Sequence, residues 1–485
     1  VAKWPAFVGP AYASQSPTAA ADRLVNWYPE SLENSGEVKA KSTLYPTPGL
    51  LPFTACPTGP VGALFSLNDR CYALAGTGFY EIFADGSIQL RGNVAAPAGR
   101  PSIASNGTAG HQIFLISGGN GYIFDLNTFV LSLIADANFP QGRADDAIFV
   151  DGYFAVRVQG STQWQISKLL DGTVWPGTSV AQRTFAQDNI AALVVTHKEI
   201  WILGSQTSEV WYDSGATFPF QPITGVFLQE GCGAQDSVAN LGPTLYWLSQ
   251  NIDGARKIVR AAGGYVPERI STHAIEFALS QYETVADAIG WAYQDQGHEF
   301  YVITFPTANA TWCYDATTGL WHERGAWDST RGQYGAQVQT CHAYVFGKHL
   351  VGSRIDGQIF EQDITCYQDA DGGIIRRMRR GVHLTGELRY AFYAELQIDM
   401  QVGNGIVLGA PDEEDPQVML RWSNDGGRTW SVERRASSGR VGQYGKRVRW
   451  RQLGRGRDRL FEVAVTSAVP WRLVNAYLEA DGGVN

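Results

Sequence analysis

One hairpin theme recurs along this chain and restricts its fold more than any other feature: an apolar strand, a glycine or polar turn, an aromatic-rich second strand, then a further turn. Its copies begin at Arg70, His111, Gly152, Lys198, Pro243, His298 and His342, at intervals of 41, 41, 46, 45, 55 and 44 residues. A period of about 40 to 50 residues is that of a four-stranded propeller blade. Runs such as Ile200–Leu203 and Phe300–Phe305 are apolar at nearly every position, as strands covered on both faces are. The repeat therefore predicts a β-propeller of six or seven blades over residues 56–370. A stack of β-sandwiches would instead break in composition about every 100 residues, and no break precedes residue 365.

Composition agrees with an all-β chain. Of 485 residues, 54 are Gly and only 3 Met, and the 12% aromatic content supplies packed sheets. At this length the chain needs more than one core.

Two segments fall outside the repeat. Residues 1–55 carry Pro5, Pro10, Pro17, Pro29, Pro46, Pro48 and Pro52, which predicts an extended arm with few ladder bonds. That arm also holds Trp4, Phe7, Trp27 and Tyr28, apolar groups that need a neighbouring subunit or the chain's own propeller to lie against. Residues 371–485 predict a separate β-sandwich-like domain. Charge divides close by: residues 375–485 hold 18 Lys and Arg against 13 Asp and Glu, or +5, leaving −14 of the total −9 in the remainder. The two parts face different surroundings.

The sharpest local motif is Ser423-x-Asp425-x-Gly427-x-x-Trp430, an Asp-box. Its Asp accepts N–H bonds inside a tight hairpin turn, Gly427 supplies a backbone open to glycine, and Trp430 packs beneath. Every role is structural. Sialidases carry repeated Asp-boxes on propellers and would also need three arginines gripping a carboxylate and a Tyr/Glu nucleophile pair, whereas this single box lies outside the repeat. Asp145 and Asp146 would alternate in direction along a strand, which fits a solvated turn better than paired catalytic carboxylates.

The eight histidines form no HxH or HExxH, and a hydrogen-bonded histidine at a strand end explains them better than a metal ligand. Neither a phosphate loop nor a nucleophile elbow occurs. Cys56, Cys71, Cys232, Cys313, Cys341 and Cys366 have no CxxC spacing, so free thiols in a reducing compartment are expected. No catalytic residue, metal or cofactor is expected. There is no apolar run of signal-peptide or membrane-spanning length, so the chain is expected to be made soluble, with no membrane insertion. Two basic clusters, Arg376, Arg377, Arg379 and Arg380, and Arg447, Arg449 and Arg451, stand open to three readings: DNA, an acidic protein partner, or plain solvent.

Six segments in order resemble one family. They are Phe7–Pro17 (FVGPAYASQSP), Arg23–Glu30 (RLVNWYPE), Leu44–Leu50 (LYPTPGL), Gly204–Phe220 (GSQTSEVWYDSGATFPF), Gly231–Gly242 (GCGAQDSVANLG) and the closing Lys446–Leu473. Together they are similar to packaged-DNA stabilisation, or tail hub (nozzle), proteins of short-tailed bacteriophages. The resemblance implies a structural virion protein of the tail, assembled in the host cytoplasm. It would form a ring of identical subunits, a hexamer, below the portal and the head-to-tail adaptor protein. There it would close the DNA exit channel and retain packaged DNA until ejection. Its partners would be the adaptor, the tail needle, fibres or tailspikes, and transiting double-stranded DNA without sequence preference. The competing readings are a propeller glycan hydrolase and a receptor-binding tail component.

Overall fold

A computed structural model of the chain describes residues 2–32, 41–254, 256–261, 264–386, 389–407 and 409–482. Each repeat becomes an antiparallel sheet in which consecutive strands are neighbours. Blade 1 runs Val61–Leu67, Arg70–Ala75, Gly78–Ile82 and Ile88–Asn93; blade 2 runs Ser102–Ser105, Gln112–Ser117, Asn120–Asp125 and Val130–Leu133. Blade 3 spans Ala144–Val150 to Val180–Gln182 and blade 4 spans Ile190–Thr196 to Phe220–Leu228. In blade 5 the innermost position is shared by two short strands, Gly231–Cys232 and Ala239–Leu241, both paired with Thr244–Gln250. Blade 6 spans Ile289–Asp295 to Leu320–Arg324.

Blade 7 is composite. Its first three strands are Gln339–Val345, Lys348–Ser353 and Gln358–Asp363, and its outermost strand is Gly49–Ala55, from the other end of the chain. That pairing closes the ring. Among the described residues the blade count is seven, because seven apolar cores each join one neighbouring pair of blades. Tyr72 and Phe79 meet Ile113 and Phe124 between blades 1 and 2, and Val61 and Cys71 meet Cys341 and Leu350 between blades 7 and 1. The second strand of each blade is covered on both faces, so it reads as a continuous apolar run: Cys71–Ala75 is buried at every position. Turns follow the sequence signals. Gly118 and Gly119 adopt φ of 58° and 78° between Ser117 and Asn120, the left-handed pair a two-residue hairpin needs.

The C-terminal domain is a two-sheet sandwich. One sheet runs Trp27–Ser31, Ser42–Pro46, Leu473–Gly482, Ala391–Met400 and Val448–Arg451. The other carries Arg23–Val25, Arg377–Arg380, Asp458–Val465, Gln417–Ser423 and Arg434–Ser437. Between them lie Trp4, Phe7, Leu24, Trp27, Leu396, Leu420, Phe461 and Trp471.

The extended arm expected over residues 1–55 is therefore corrected. The segment gives strands to both domains, and Trp4, Phe7 and Trp27 enter the sandwich core of their own chain. Tyr28 instead packs with Phe300 and Phe360 in the core between blades 6 and 7. The prolines do not prevent this, because Pro29 and Pro52 sit on edge strands, Trp27–Ser31 and Gly49–Ala55, where one side of the backbone has no ladder to complete. The two domains are also not separate: Arg23–Val25 pairs in parallel with blade-6 strand Leu320–Arg324 and antiparallel with Arg377–Arg380. One sheet runs from the propeller into the sandwich.

Candidate functional site

The seam around strand Arg377–Arg380 gathers most of the first basic cluster, and it faces inward. Alternation along a strand sends Arg377 and Arg379 to one face, and both are buried. Arg379 donates Nε–H to the Phe7 carbonyl at 2.7 Å, with its Nη2 near the Ala6 and Pro10 carbonyls at 3.4 and 3.2 Å. Arg377 donates to the Thr47 carbonyl at 3.2 Å. Burial pulls both guanidinium groups down to about 10. They clamp the N-terminal segment, so none of the three readings, DNA, an acidic partner or plain solvent, describes these two buried arginines.

The other two members are also engaged. Arg380 shares the buried Glu462 carboxylate with Arg421, and Arg380 and Arg421 each stack on Trp430 at 4.7 Å. Arg376 lies over Trp327 at 4.8 Å and reaches Glu433 at 3.4 Å. Arg23, in register with Arg380, is fixed to Glu323 of blade 6 by bonds of 2.7 and 3.0 Å from its Nε. Beside this pair lies a cavity of about 530 Å³ lined by Tyr12, Ile275, Tyr282, Trp312 and Tyr334.

The second basic cluster faces outward. Arg447, Arg449 and Arg451 are exposed while Val448 and Trp450 point into the core; Arg451 binds Glu395 at 2.6 Å.

The Asp-box forms the connection between Gln417–Ser423 and Arg434–Ser437. Ser423 Oγ donates to Asp425 at 2.6 Å and accepts from Gly427 N–H at 2.9 Å, and Asp425 accepts from the Arg428 and Thr429 N–H groups at 3.0 and 2.9 Å. Those donors hold the Asp425 carboxyl well below the usual range. Trp430 differs from expectation: it is half-buried between the two arginines, and its indole N–H closes the loop on Gly427 O at 3.0 Å.

At the centre of the ring the structure assembles a constellation that no motif marks. Arg157 of blade 3 donates to Asp145, Asp146 and Gln235 of blade 5, each at 2.6 Å, and Asp146 also accepts Leu193 N–H of blade 4 at 2.9 Å. Asp146 has φ of 56° within a bulge of its strand. The bulge resets the alternation, so both carboxylates turn to one arginine, and the solvated turn expected for them is corrected. Burial, outweighing Arg157, raises the Asp146 carboxyl. Arg100, between blades 1 and 2, donates to Gly290 O of blade 6 at 2.9 Å. The Arg157–Gln235 and Arg100–Gly290 bonds join blades that are not neighbours, so at this level they reach across the middle of the ring.

Other titratable groups are also internal. His298 binds Asp315 at 2.8 Å, and His342 lies 3.0 Å from His349. Among the described residues no cluster of His, Cys, Asp or Glu has the grouping of a metal site, and no helix is long and apolar enough to cross a membrane.

Comparison with known proteins agrees with this architecture. Residues 11–366 match the family model described as "Bacteriophage P22 Gp10, beta-propeller", and residues 376–481 match "Bacteriophage P22 Gp10, beta-sandwich". The first match includes Gly49–Ala55, the strand of the N-terminal segment that completes the seventh blade. No curated protein matches the chain. Among solved structures, the N-terminal domain of Nup159 is 10% identical over 70% of this chain and 97% of that one, with a TM-score of 0.40. A streptogramin B lyase is 9% identical over 69% and 97%, at 0.39. The extracellular domain of the putative hybrid two-component system BT4673 from B. thetaiotaomicron is 8% identical over 74% and 45%, at 0.44. With both of its domains matched in order, the chain belongs to the bacteriophage P22 Gp10 family of packaged-DNA stabilisation and tail hub proteins, structural proteins of short-tailed phages.

Proposed function

We propose that this chain is a tail hub, or nozzle, subunit of the virion, assembled in the host cytoplasm. It forms a ring of identical copies, a hexamer, below the portal and the head-to-tail adaptor. The ring closes the DNA exit channel and retains packaged DNA until ejection. The adaptor, the tail needle and fibres or tailspikes are its protein neighbours, and double-stranded DNA passes without sequence-specific contact.

The observation that carries this reading is the continuous sheet from blade 6 through Arg23–Val25 into the sandwich. Such a subunit transmits load between its domains without a hinge, as a structural part must. The acidic charge of residues 1–374 also favours sliding, since cation contacts to phosphate are what make DNA adhere. No catalytic step is assigned. The one Asp-box lies in the sandwich and its carboxylate is consumed by the turn, so nothing favours the glycan hydrolase reading.

The test is native mass measurement of the chain released from purified tails, paired with particles lacking it. A sixfold multiple of the chain mass, and DNA loss from the deficient particles, are expected. Chain found only as a monomer in intact tails, or deficient particles that keep their DNA, would overturn the reading.

A further inference from the structure

Two surfaces far apart in the sequence carry large apolar side chains together with charges of opposite sign. The first is the outer rim of blades 1 and 2, where strands Ile88–Asn93 and Val130–Leu133 lie against each other. Leu90, Val130 and Leu133 are 51, 54 and 55% exposed, with Phe129 beside them. Outer strands are ordinarily guarded by charge, as Glu268–Arg269 is in blade 5. Here Arg91 and Arg70 turn inward, stacking on Phe129 at 4.8 and 5.0 Å and both pairing with buried Glu81. The carboxylates left at the rim are Asp85 and Asp125. The Ser87 hydroxyl and N–H hold Asp85 in its charged form, the Thr128 and Asn127 N–H groups hold Asp125, and neither makes an ion pair among the described residues.

The second surface is one end of the sandwich sheet. Arg455 and Arg457 both stack on Tyr390, each at 4.6 Å from the ring centre. Neither they nor Arg389 make an ion pair among the described residues, while nearby Asp458 is taken by His383 at 2.6 Å. Arg455 stands opposite Phe392 in the ladder, and Phe392 is 49% exposed. Asp481 flanks Phe392 on its other side, so among the described residues of this patch three guanidinium groups stand against one carboxylate.

We propose that the rim of one copy docks on the Tyr390–Arg455–Arg457 patch of the next, head to tail. Phe392 and Tyr390 would lie on Leu90, Val130 and Leu133, with the arginines over Asp85 and Asp125. The inference rests on the ring reading above and names the contact that builds the ring. Either surface paired with its own copy would set like charges face to face, which disfavours a two-fold contact. A contact between unlike patches leaves each copy with one of each to offer, so it repeats until the ring closes. Aromatic and arginine side chains are also the types that dominate binding energy at interfaces.

The test uses full-length chains with one added thiol, Gln89→Cys on the rim or Asp481→Cys on the patch. The six native cysteines are buried, so the added thiols are the accessible ones. Mixed under mild oxidation, the two variants should give the mixed disulfide in clear excess over either homodimer. A chain carrying both should give a ladder of covalent oligomers. Leu133→Glu or Arg455→Glu should each cut the mixed product about tenfold. Homodimers in equal or greater yield, or a mixed yield indifferent to both substitutions, would overturn the assignment. Sedimentation of the wild-type chain and examination of intact tails separate the two failures. Self-association or a ring without this cross-link sinks only the pairing; the absence of both sinks the ring as well.

Discussion

Arg379 and Phe7 are joined by a 2.7 Å bond from guanidinium Nε to main-chain carbonyl across 372 positions of sequence. The arginine lies in the central part of a sandwich sheet, and the phenylalanine lies in the segment that seals the sandwich core.

Replacing Arg379 with Met should loosen that segment. Its hydrogen bonds to main-chain oxygens are lost, and at about 1.5 to 3 kcal/mol for a bond to a charged group the sandwich should lose at least that much stability. Deleting residues 1–30 should be far more damaging, because Phe7, Leu24 and Trp27 leave the core at about 3 to 5 kcal/mol for each aromatic. Denaturant unfolding followed by tryptophan fluorescence checks both. A deletion variant that keeps the wild-type transition would contradict the role given to the segment.

Arg157→Met should be among the most destabilising changes in the propeller. It leaves Asp145 and Asp146 buried without their cation, a situation that costs about 3 to 5 kcal/mol. Thermal unfolding should show the loss, and the double change with Asp146→Asn should recover part of it. Equal stability of Arg157→Met and the wild type would mean that the ring is not held through its centre.

Acid should weaken blades 6 and 7 through His342, whose protonation burial pushes down to about 3 from an ordinary 6.5. The unfolded chain takes up the proton near 6.5 while the folded one resists it. The stability contributed is thus complete above pH 6.5 and falls as the pH drops toward 3. Burial also holds His322 well below its ordinary value, which adds to the effect, whereas His298, raised by Asp315, opposes it. His342→Gln should flatten the decline in unfolding midpoint between pH 6.5 and 4. A parallel decline in both proteins would remove His342 as its cause.

The thiols should be silent in the native protein. All six are free and buried, and burial raises Cys71, Cys232 and Cys313 to about 12, away from the reactive thiolate. A colourimetric thiol reagent should find six groups in denaturant and close to none before it. A fast-reacting thiol in native protein would show that one blade interface opens.

Much of the fold was legible because its signals are local. A hairpin's alternation, its turn glycines and its spacing from the next copy are read within about 50 residues, and the same holds for the Asp-box, whose bonds span Ser423 to Trp430. Prolines misled for the opposite reason. Pro29 and Pro52 forbid a central strand but permit an edge, and whether a strand is an edge depends on which distant segments flank it. Arg377 and Arg379 looked like a surface cluster because four arginines in five positions are seldom buried. The backbone carbonyls of residues 6, 7, 10 and 47, folded onto them, and the Tyr367 ring beneath Arg377 offset the cost of that burial.

By itself, then, the sequence determined an all-β chain, the period of its blades, a second domain after the repeat and a phage-family resemblance. All of these rest on patterns between near neighbours or on short motifs. The tertiary structure alone decided that there are seven blades, that Gly49–Ala55 completes the last of them, and that Asp145, Asp146 and Arg157 meet Gln235 at the centre. It also decided which arginines remain at the surface to meet a partner. Each of these depends on ring closure or on the packing of the sandwich, which brings together residues tens to hundreds of positions apart and gives a charged side chain its burial, its counter-charge or its exposure.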